Sequence, residues 1–557
     1  MNKMSARRDF LKWSGAGLAV AAAGVLPAGA AKNASHEGAA LPFCFDVRTF
    51  GAAGDGKAID SPAINAAILA AAAAGGGMVY FPAGVYFSYS IRLKSKVHLC
   101  LSQGATILAA PSPDYGSTVS TGFYDLAEPN PEGKDYQDYG HCHWQNSLIW
   151  GDGLSDISIT GPGLIWGKGL TNGARAEQPG VGNKSIALKN CRNVTLRDFS
   201  ILEGGHFGLL LTGVDNLTID NLKVDTNRDG MDIDCCRNVR VSNCTVNSPW
   251  DDGICPKSSY ALGYARSTDN VTITNCFVTG IYQLGSVLDG TFKKFAPDAK
   301  VWRTGRIKCG TESNGGFRNI TISNCVFEGC QGLALETVDG ALLEDIAITN
   351  ITMRDIVTAP IFMRLGARLR GPKGTKPGTL RRVLIDNLVS YNTAEKIAAV
   401  RVGPPDTPIF TPWTTPYQLA SVISGIPGYM VEDIKISNVY TQNQGGAGAD
   451  AAKVRPPENE GGYPEPTMFG PTPAHGFYIR HARHIELNHV EVATVQPDAR
   501  PTIVLEDVDR ADFFNLEAPH TAGQPTISVR NAADLRILQN RYLDDIQLRG
   551  RIERKDI

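Results

Sequence analysis

One short pattern returns along this chain at nearly constant spacing, and it limits the available folds more than any other feature. It reads Asn193-Val-Thr-Leu-Arg-Asp-Phe-Ser-Ile, Asn216-Leu-Thr-Ile-Asp-Asn-Leu-Lys-Val and Asn238-Val-Arg-Val-Ser-Asn-Cys-Thr-Val. Asn270-Val-Thr-Ile-Thr-Asn-Cys-Phe-Val and Asn319-Ile-Thr-Ile-Ser-Asn-Cys-Val-Phe follow, and weaker copies begin at Asp156, Asp345, Asp433 and His484. Apolar residues alternate, a small polar residue or Asn marks a bend, and a second alternating run follows. That is two strands joined by a turn, with β-branched residues facing inward.

The spacing selects the architecture. Asn193 to Asn216 is 23 residues, Asn216 to Asn238 is 22, and the 32- and 49-residue intervals further on read as the same coil carrying insertions. A unit this small cannot bury its apolar face alone, but stacked copies share a continuous core. Three short strands per turn, each pairing with its equivalent in the next, make an all-β chain: a right-handed parallel β-helix. Asn at each bend accepts the αL conformation, and its amide can bond the copies above and below. A leucine-rich repeat would need a helical segment that is absent, and a propeller would need a longer period. The 59 Gly and 32 Pro suit so many turns.

The amino-terminal end should carry a cap. Ser61-Pro62 opens a helix, with Ser as N-cap and Pro at N1, and the Ala-rich run over 63–74 continues it to Gly75-Gly76-Gly77. A helix there protects the unpaired edge of the first coil. Pro-, Gly- and Thr-rich stretches over 359–380, 392–431 and 442–473 read as long surface loops, so residues 41–557 form one domain.

Residues 1–30 read as a targeting segment. Ser5-Ala6-Arg7-Arg8-Asp9-Phe10-Leu11-Lys12 precedes an Ala/Gly/Val/Leu run and then Ala28-Gly29-Ala30. The paired arginines resemble a twin-arginine signal, which exports folded proteins to a periplasmic or external location. An uncleaved amphipathic anchor is the alternative, but the polar face it needs is missing. Its removal takes the formal net charge from −2 to −5, which gives the mature chain no electrostatic attraction to nucleic acid. No apolar run of membrane-spanning length follows the leader. Export permits disulfides, yet Cys191, Cys244, Cys276 and Cys325 recur at one place in the repeat, as stacked core residues would. One bridge, Cys325 with Cys330, stays open on loop length alone.

The chemistry concentrates in Asn227-Arg228-Asp229-Gly230-Met231-Asp232-Ile233-Asp234 and Trp250-Asp251-Asp252-Gly253-Ile254. Asp229 and Asp251 are 22 residues apart, one local coil interval, which predicts equivalent places on adjacent coils. Asp252 needs a bend or bulge to join them in one cleft. Three carboxylates so close cannot all ionise, and a raised and an ordinary carboxyl together supply a general acid and a general base. A calcium site is the competing reading. Asp232 and Asp234 read as structural. Arg306 and Lys308 share a strand face and could present two cations to the anionic group of a substrate. His206 lies 23 residues before Asp229, where it could line the same cleft or serve only structure.

Taken together, Asn227-x-Asp229-Gly230-x-Asp232, Asp251-Asp252-Gly253-Ile254 and Arg306-Ile307-Lys308 resemble the signature of the polygalacturonase-type glycoside hydrolases, family 28. The resemblance runs from about residue 41 to 392, and residues 45–107 resemble the amino-terminal cap of pectinase β-helices. It implies inverting hydrolysis of a uronate-containing, pectin-like polysaccharide or oligosaccharide, without metal or organic cofactor. Asp251 would be the general acid, and Asp229 and Asp252 would position and deprotonate water. Inversion calls for carboxyls about 6.5–9.5 Å apart. Asn227, Arg306 and Lys308 would bind substrate, with His206 and Tyr282 as further sugar contacts. One departure stands out: Gly280 takes the place of the histidine in the family's Gly-His-Gly, and Tyr282 or Gln283 could replace its hydrogen bond.

Two other functions remain open from the residues alone. A lyase on the same fold would use calcium and release unsaturated sugars that absorb ultraviolet light. A binding or adhesive solenoid would turn nothing over. The insertion between Gly285 and Arg306, with Asp289, Lys293 and Lys294, could wall off the groove and favour release of one or two terminal sugars.

Overall fold

A computed structural model describes residues 43–557 except 113–121, 174, 297–298, 300, 392–418 and 519–522. The targeting segment and most of the 392–431 stretch lie outside the described residues. Residues 43–557 form one compact unit, and no helix among the described residues is long and apolar enough to cross a membrane.

The unit is a parallel β-helix. In its first half each coil has three short strands: Lys184–Lys189, Arg192–Arg197 and Ser200–Leu202, then Phe207–Thr212, Asp215–Asp220 and Lys223–Asp225, then Asp229–Asp234, Arg237–Ser242 and Thr245–Asn247. Each pairs in parallel with its equivalent one coil on, as in Val194↔Leu217↔Val239↔Val271↔Ile320. From Phe317 onward the second and third strands run together as single bent strands, such as Phe317–Glu328 and Leu342–Arg354. The alternation read from the repeat is the burial pattern: Val194, Leu196, Leu217, Ile219, Val239 and Val241 are fully buried in one continuous core.

The bends explain the recurring Asn. Asn193, Asn216, Asn238, Asn270 and Asn319 all have φ between 53° and 57°. Their amides form a ladder, Asn216 Nδ2 donating to Asn193 Oδ1 at 3.0 Å and Asn319 Nδ2 to Asn270 Oδ1 at 2.7 Å. Cys191, Cys244, Cys276 and Cys325 lie in the core, and all twelve cysteines are free, so no Cys325–Cys330 bridge forms.

The cap is the helix Ser61–Ala73, which buries Ile64, Ala67, Ile68 and Ala71. Its first residue is one earlier than the cap pattern indicates. Asp60 is the N-cap, and Ser61 sits in the first turn, where its Oγ accepts from the Tyr89 N–H. Asp60 is drawn away from capping because its carboxylate takes the Ala53 and Gly54 N–H groups at 2.6 and 3.1 Å.

The expected loops need correction. Ile361–Leu365, Ser421–Ser424 and Val431–Gly445 are strands of the helix itself. Residues 446–476 do form a long excursion, but it is tied down on the β-helix. Buried Arg364 and Arg480 donate to the carbonyls of Glu458, Pro456 and Pro457 and stack on Phe469 at 5.2 and 5.0 Å.

Candidate active site

The strands Lys184–Lys189, Phe207–Thr212, Asp229–Asp234 and Ile254–Lys257 are successive members of one sheet, which presents the candidate site. Register decides which acids meet. Met231 pairs with Ile254, and the Gly230 N–H donates to the Asp252 carbonyl at 2.9 Å, so Asp229 is level with Asp252. Asp251 is level with Arg228 and, through Phe207↔Asp229, with His206. The expected Asp229/Asp251 equivalence is therefore shifted by one residue, because the strand-to-strand interval here is 23. Residues 249–251 bend, and the Gly305 N–H pinches that bend by donating to both Ser248 and Asp251 carbonyls at 2.9 Å. The bend required to bring Asp251 beside Asp252 is present.

One oxygen from each of Asp229, Asp251 and Asp252 lies within 4.8 Å of the others. This nearest-oxygen spacing is tighter than the 6.5–9.5 Å carboxyl separation of an inverting pair, so separation alone does not select the stereochemistry. The three differ sharply in surroundings. Asp252 is 2% exposed and takes Arg306 Nε on one oxygen at 2.9 Å and Lys308 Nζ on the other at 2.5 Å. Burial alone would raise its pKa, but Lys308 and Arg306 outweigh it and hold the carboxyl down at about 2. Asp229, 5% exposed, has its nearest cation, Arg228 Nε, at 3.8 Å. Burial, then the charge of Asp251, pushes its pKa well up. Asp251 is the open one at 28% exposed, accepting from its neighbour's backbone N–H at 3.0 Å and from Arg228 Nε at 3.1 Å. One ionised carboxylate and one retained proton therefore sit within reach of a solvent-facing acid, which is the equipment of general acid–base chemistry.

The cation pair does not stand as expected. Arg306 is fully buried, and besides Asp252 it donates from Nη2 to Glu465 Oε1 at 2.6 Å. Lys308 is 2% exposed and also donates to Thr311 Oγ1 at 3.3 Å. Both cations clamp Asp252, and Arg306 Nη1 is buried without a hydrogen-bond partner. Glu336, 4.0 Å from Arg306 Nη2, is pushed up to about 8 by burial despite these cations. The same clamp argues against calcium, since both Asp252 oxygens already carry a cationic donor.

Other expected residues fall variously. Asn227 is half-buried with its Oδ1 unpartnered, beside Asp229. His206 is buried, stacks on Phe207 at 4.2 Å, and has Nδ1 3.4 Å from Arg228 Nη1. Burial, then Arg228, holds it neutral. Tyr282 turns away: its hydroxyl donates to Glu328 at 2.8 Å and its ring packs on Phe292. Gly280 lies past the strand Phe277–Thr279 of the other sheet, against the Arg303 and Thr304 backbone. The coil after Asp251-Asp252 re-enters the site sheet at Ile307, bridged to Ile254, so Gly280 is not in that column. Of the insertion, Lys294 pairs with Glu328 at 2.9 Å, and Phe295 packs on Trp250, next to Asp251. Asp234 is structural as expected, taking the Ser259 N–H and hydroxyl, whereas Asp232 joins Lys257 at 3.0 Å.

Sequence reasoning missed several contributors. Arg228 was visible only as the variable residue of Asn227-x-Asp229. Glu465 and Tyr463 arrive from the 446–476 excursion, and the Tyr463 hydroxyl is 3.1 Å from Thr311 Oγ1. Arg370 reaches across to donate from Nε to the Tyr136 carbonyl at 2.9 Å, joining two loops beside the site.

Comparison with known proteins agrees with this architecture. Residues 44–120 match the family model "Rhamnogalacturonase A/epimerase, pectate lyase-like", and residues 136–278 match "Right handed beta helix region". A probable polygalacturonase of Vitis vinifera is 24% identical over 327 residues, which is 55% of this chain and 60% of that protein. The plasmin and fibronectin-binding protein A of Streptococcus pneumoniae is 35% identical over 185 residues, 31% of this chain and 23% of that one. The chain thus spans 60% or less of the length of these curated relatives. The family 28 exopolygalacturonase of Yersinia enterocolitica shares the fold at a TM-score of 0.59 and 19% identity, over 85% of this chain and 78% of that one. With its motifs and its stacked coils, the chain is a glycoside hydrolase family 28-like, right-handed parallel β-helix protein.

Proposed function

We propose that this protein is an exported glycoside hydrolase acting on uronate-containing, pectin-like polysaccharide or oligosaccharide. The observation that carries the reading is the convergence of Asp229, Asp251 and Asp252 with their protonation split. Asp252 is held ionised by Arg306 and Lys308, Asp229 retains a proton, and Asp251 faces solvent. In this mechanism Asp252 draws the proton from an attacking water, and Asp251, the solvent-facing carboxyl, gives a proton to the glycosidic oxygen. The polygalacturonase relative supports the substrate class. Inversion rests on the family resemblance, and the anomer of the first product, followed by NMR before mutarotation, decides it.

Exo attack is supported by the walls around the site. The Arg370–Tyr136 contact, the Phe295–Trp250 contact and the Glu465–Arg306 pair bring three loop regions against the catalytic strands. The twin-arginine-like leader supports export to the periplasm or beyond, which fractionation of the source cells would test. For function, the protein is incubated with homogalacturonan, rhamnogalacturonan and unsaturated oligouronides. New reducing ends without ultraviolet-absorbing products support the hydrolase, unsaturated products defeat it in favour of a lyase, and binding without turnover leaves an adhesive solenoid.

A further inference from the structure

Within the 446–476 excursion, residues 459–468 form a closed loop that delivers a carboxylate to the candidate site. Asn459 Nδ2 donates to the Met468 carbonyl at 3.1 Å and makes the neck, and the Gly462 N–H turns back onto the Asn459 carbonyl at 3.0 Å. Arg364 and Arg480 fix that neck to the β-helix through the Glu458 carbonyl, at 2.9 and 3.3 Å, and through the Phe469 ring. Between these ties the loop carries Tyr463, 3.1 Å from Thr311 Oγ1, and Glu465. Glu465 meets Arg306 through one oxygen only, accepting from Nη2 on Oε1 at 2.6 Å. Its other oxygen and Arg306 Nη1 are both buried without a hydrogen-bond partner. Arg306 is fully buried and braced by Asp252, whereas the Glu465 side chain is 24% exposed, so Glu465 is the partner with a way out to water.

We propose that residues 459–468 are a pseudosubstrate strap: Glu465 occupies on Arg306 the place of a uronate carboxylate, and substrate binds by exchanging for it. The inference rests on the hydrolase reading above and adds an autoinhibitory contact to it. A free carboxylate can take Nη1 and Nη2 together through two parallel N–H donors, so it satisfies the donor that Glu465 leaves bare. One carboxylate replaces another of the same charge, so Arg306 stays neutralised and keeps its hold on Asp252. The displaced Glu465 regains water, and the ties at Asn459 and Phe469 confine the movement to the tip of the loop. A methyl-esterified or neutral sugar brings no charge to replace Glu465. The strap therefore sets a threshold that a uronate passes more easily than its ester.

The test is made in the Asp251→Asn protein, where binding is read without turnover. Calorimetry compares trigalacturonate and its methyl ester with and without Glu465→Gln, which keeps the shape of the side chain and removes the competing charge. Glu465→Gln should tighten trigalacturonate by about tenfold and the ester by much less. Hydrogen exchange gives a second readout that needs no substitution in the strap. Saturating trigalacturonate should speed exchange of the 460–467 amides, because the tip leaves Arg306. Equal or weaker binding of trigalacturonate by Glu465→Gln, an equal gain on acid and ester, or 460–467 amides that do not exchange faster with ligand overturns the strap. Reducing ends released from trigalacturonate by wild type would leave the hydrolase reading standing in each of those cases. A wild type that neither binds nor cleaves any uronate oligomer overturns both.

Discussion

Arg306 and Asp252 face each other across adjacent coils at 2.9 Å, with the guanidinium fully buried. This pair, closed on the other side by Glu465, is an internal brace whose job is to keep one carboxylate ionised. Removing the arginine leaves buried Asp252 and half-buried Glu465 with one cation fewer. Arg306→Met should therefore cost about 3–5 kcal/mol of stability, read as a lower urea midpoint. It should also cut turnover, because the base loses its hold. A variant with an unchanged midpoint would show that the brace is not formed in solution.

Asp251 differs from its neighbours in facing solvent, so its replacement separates chemistry from folding. Asp251→Asn should lower hydrolysis by about 10²–10⁴-fold while leaving the thermal midpoint within a few degrees of wild type. Reducing-end release and calorimetry check the two halves of this expectation. Retained turnover would move the acid role to Asp229, which already holds a proton by burial.

Glu336 supplies a pH signature with a definite sign. Its pKa is raised from 4.5 to about 8 by burial, which outweighs Lys308 and Arg306. Above 4.5 the unfolded chain releases this proton while the folded protein keeps it, so Glu336 lowers stability progressively as pH rises toward 8. Glu336→Gln mimics the protonated form. The variant should match wild type near pH 5 and exceed it by about 1–3 kcal/mol at pH 8, in urea titrations at both values. An advantage that does not grow with pH would mean Glu336 is ionised in the folded protein.

The Asn ladder carries a purely structural prediction. Asn238 accepts from Asn270 at 3.0 Å and donates to Asn216 at 3.3 Å while holding φ at 57°. Asn238→Ala removes both bonds and places a side chain that disfavours αL there. Stability should fall by about 2 kcal/mol with activity nearly unchanged, and Asn238→Gly should recover part of the loss.

How far the sequence could be read follows from where periodicity holds. The coils were legible because the clearest repeats write the same alternation and Asn bend, with Phe, Leu or Cys at one core position. The acid cluster was legible because one-coil spacing forces neighbours together. The one-residue error in pairing Asp229 with Asp251 arose because Asn-to-Asn intervals skip the extra residue taken up by the bend at 249–251. Glu336 had a signal, as the lone acid in the strand Leu333–Thr337 after Leu-Ala-Leu. Glu465 had none, since it returns to the site from 159 residues beyond Arg306 on a segment without period. The cations were found, but their partners were not, and the partners determine whether a charge is available to substrate.

Mode of attack depends on the loops around the site, and Arg370 tests it with little risk to the catalytic groups. Its Nε–H joins the Tyr136 carbonyl at 2.9 Å, while its own carbonyl takes Asn314 Nδ2 at 2.7 Å and its N–H reaches Asp339 at 3.0 Å. Arg370→Ala keeps both backbone anchors and removes the reach across to Tyr136 and Gln137 together with a 3.9 Å ion pair to Glu312, which Lys257 and Arg368 still neutralise, so the loop should stay folded while the wall loosens. For wild type acting on homogalacturonan, viscosity should fall slowly relative to reducing-end formation, with one or two sugars released at a time. The variant should move the products toward longer oligomers, by about 2- to 10-fold in the ratio of viscosity loss to new ends, since a wall held by one to two hydrogen bonds is worth about that much. A wild type that drops viscosity at once, with mixed mid-length products, defeats exo attack. A variant with wild-type products shows that the Phe295 and Glu465 sides of the site, and not this contact, set where the chain must end.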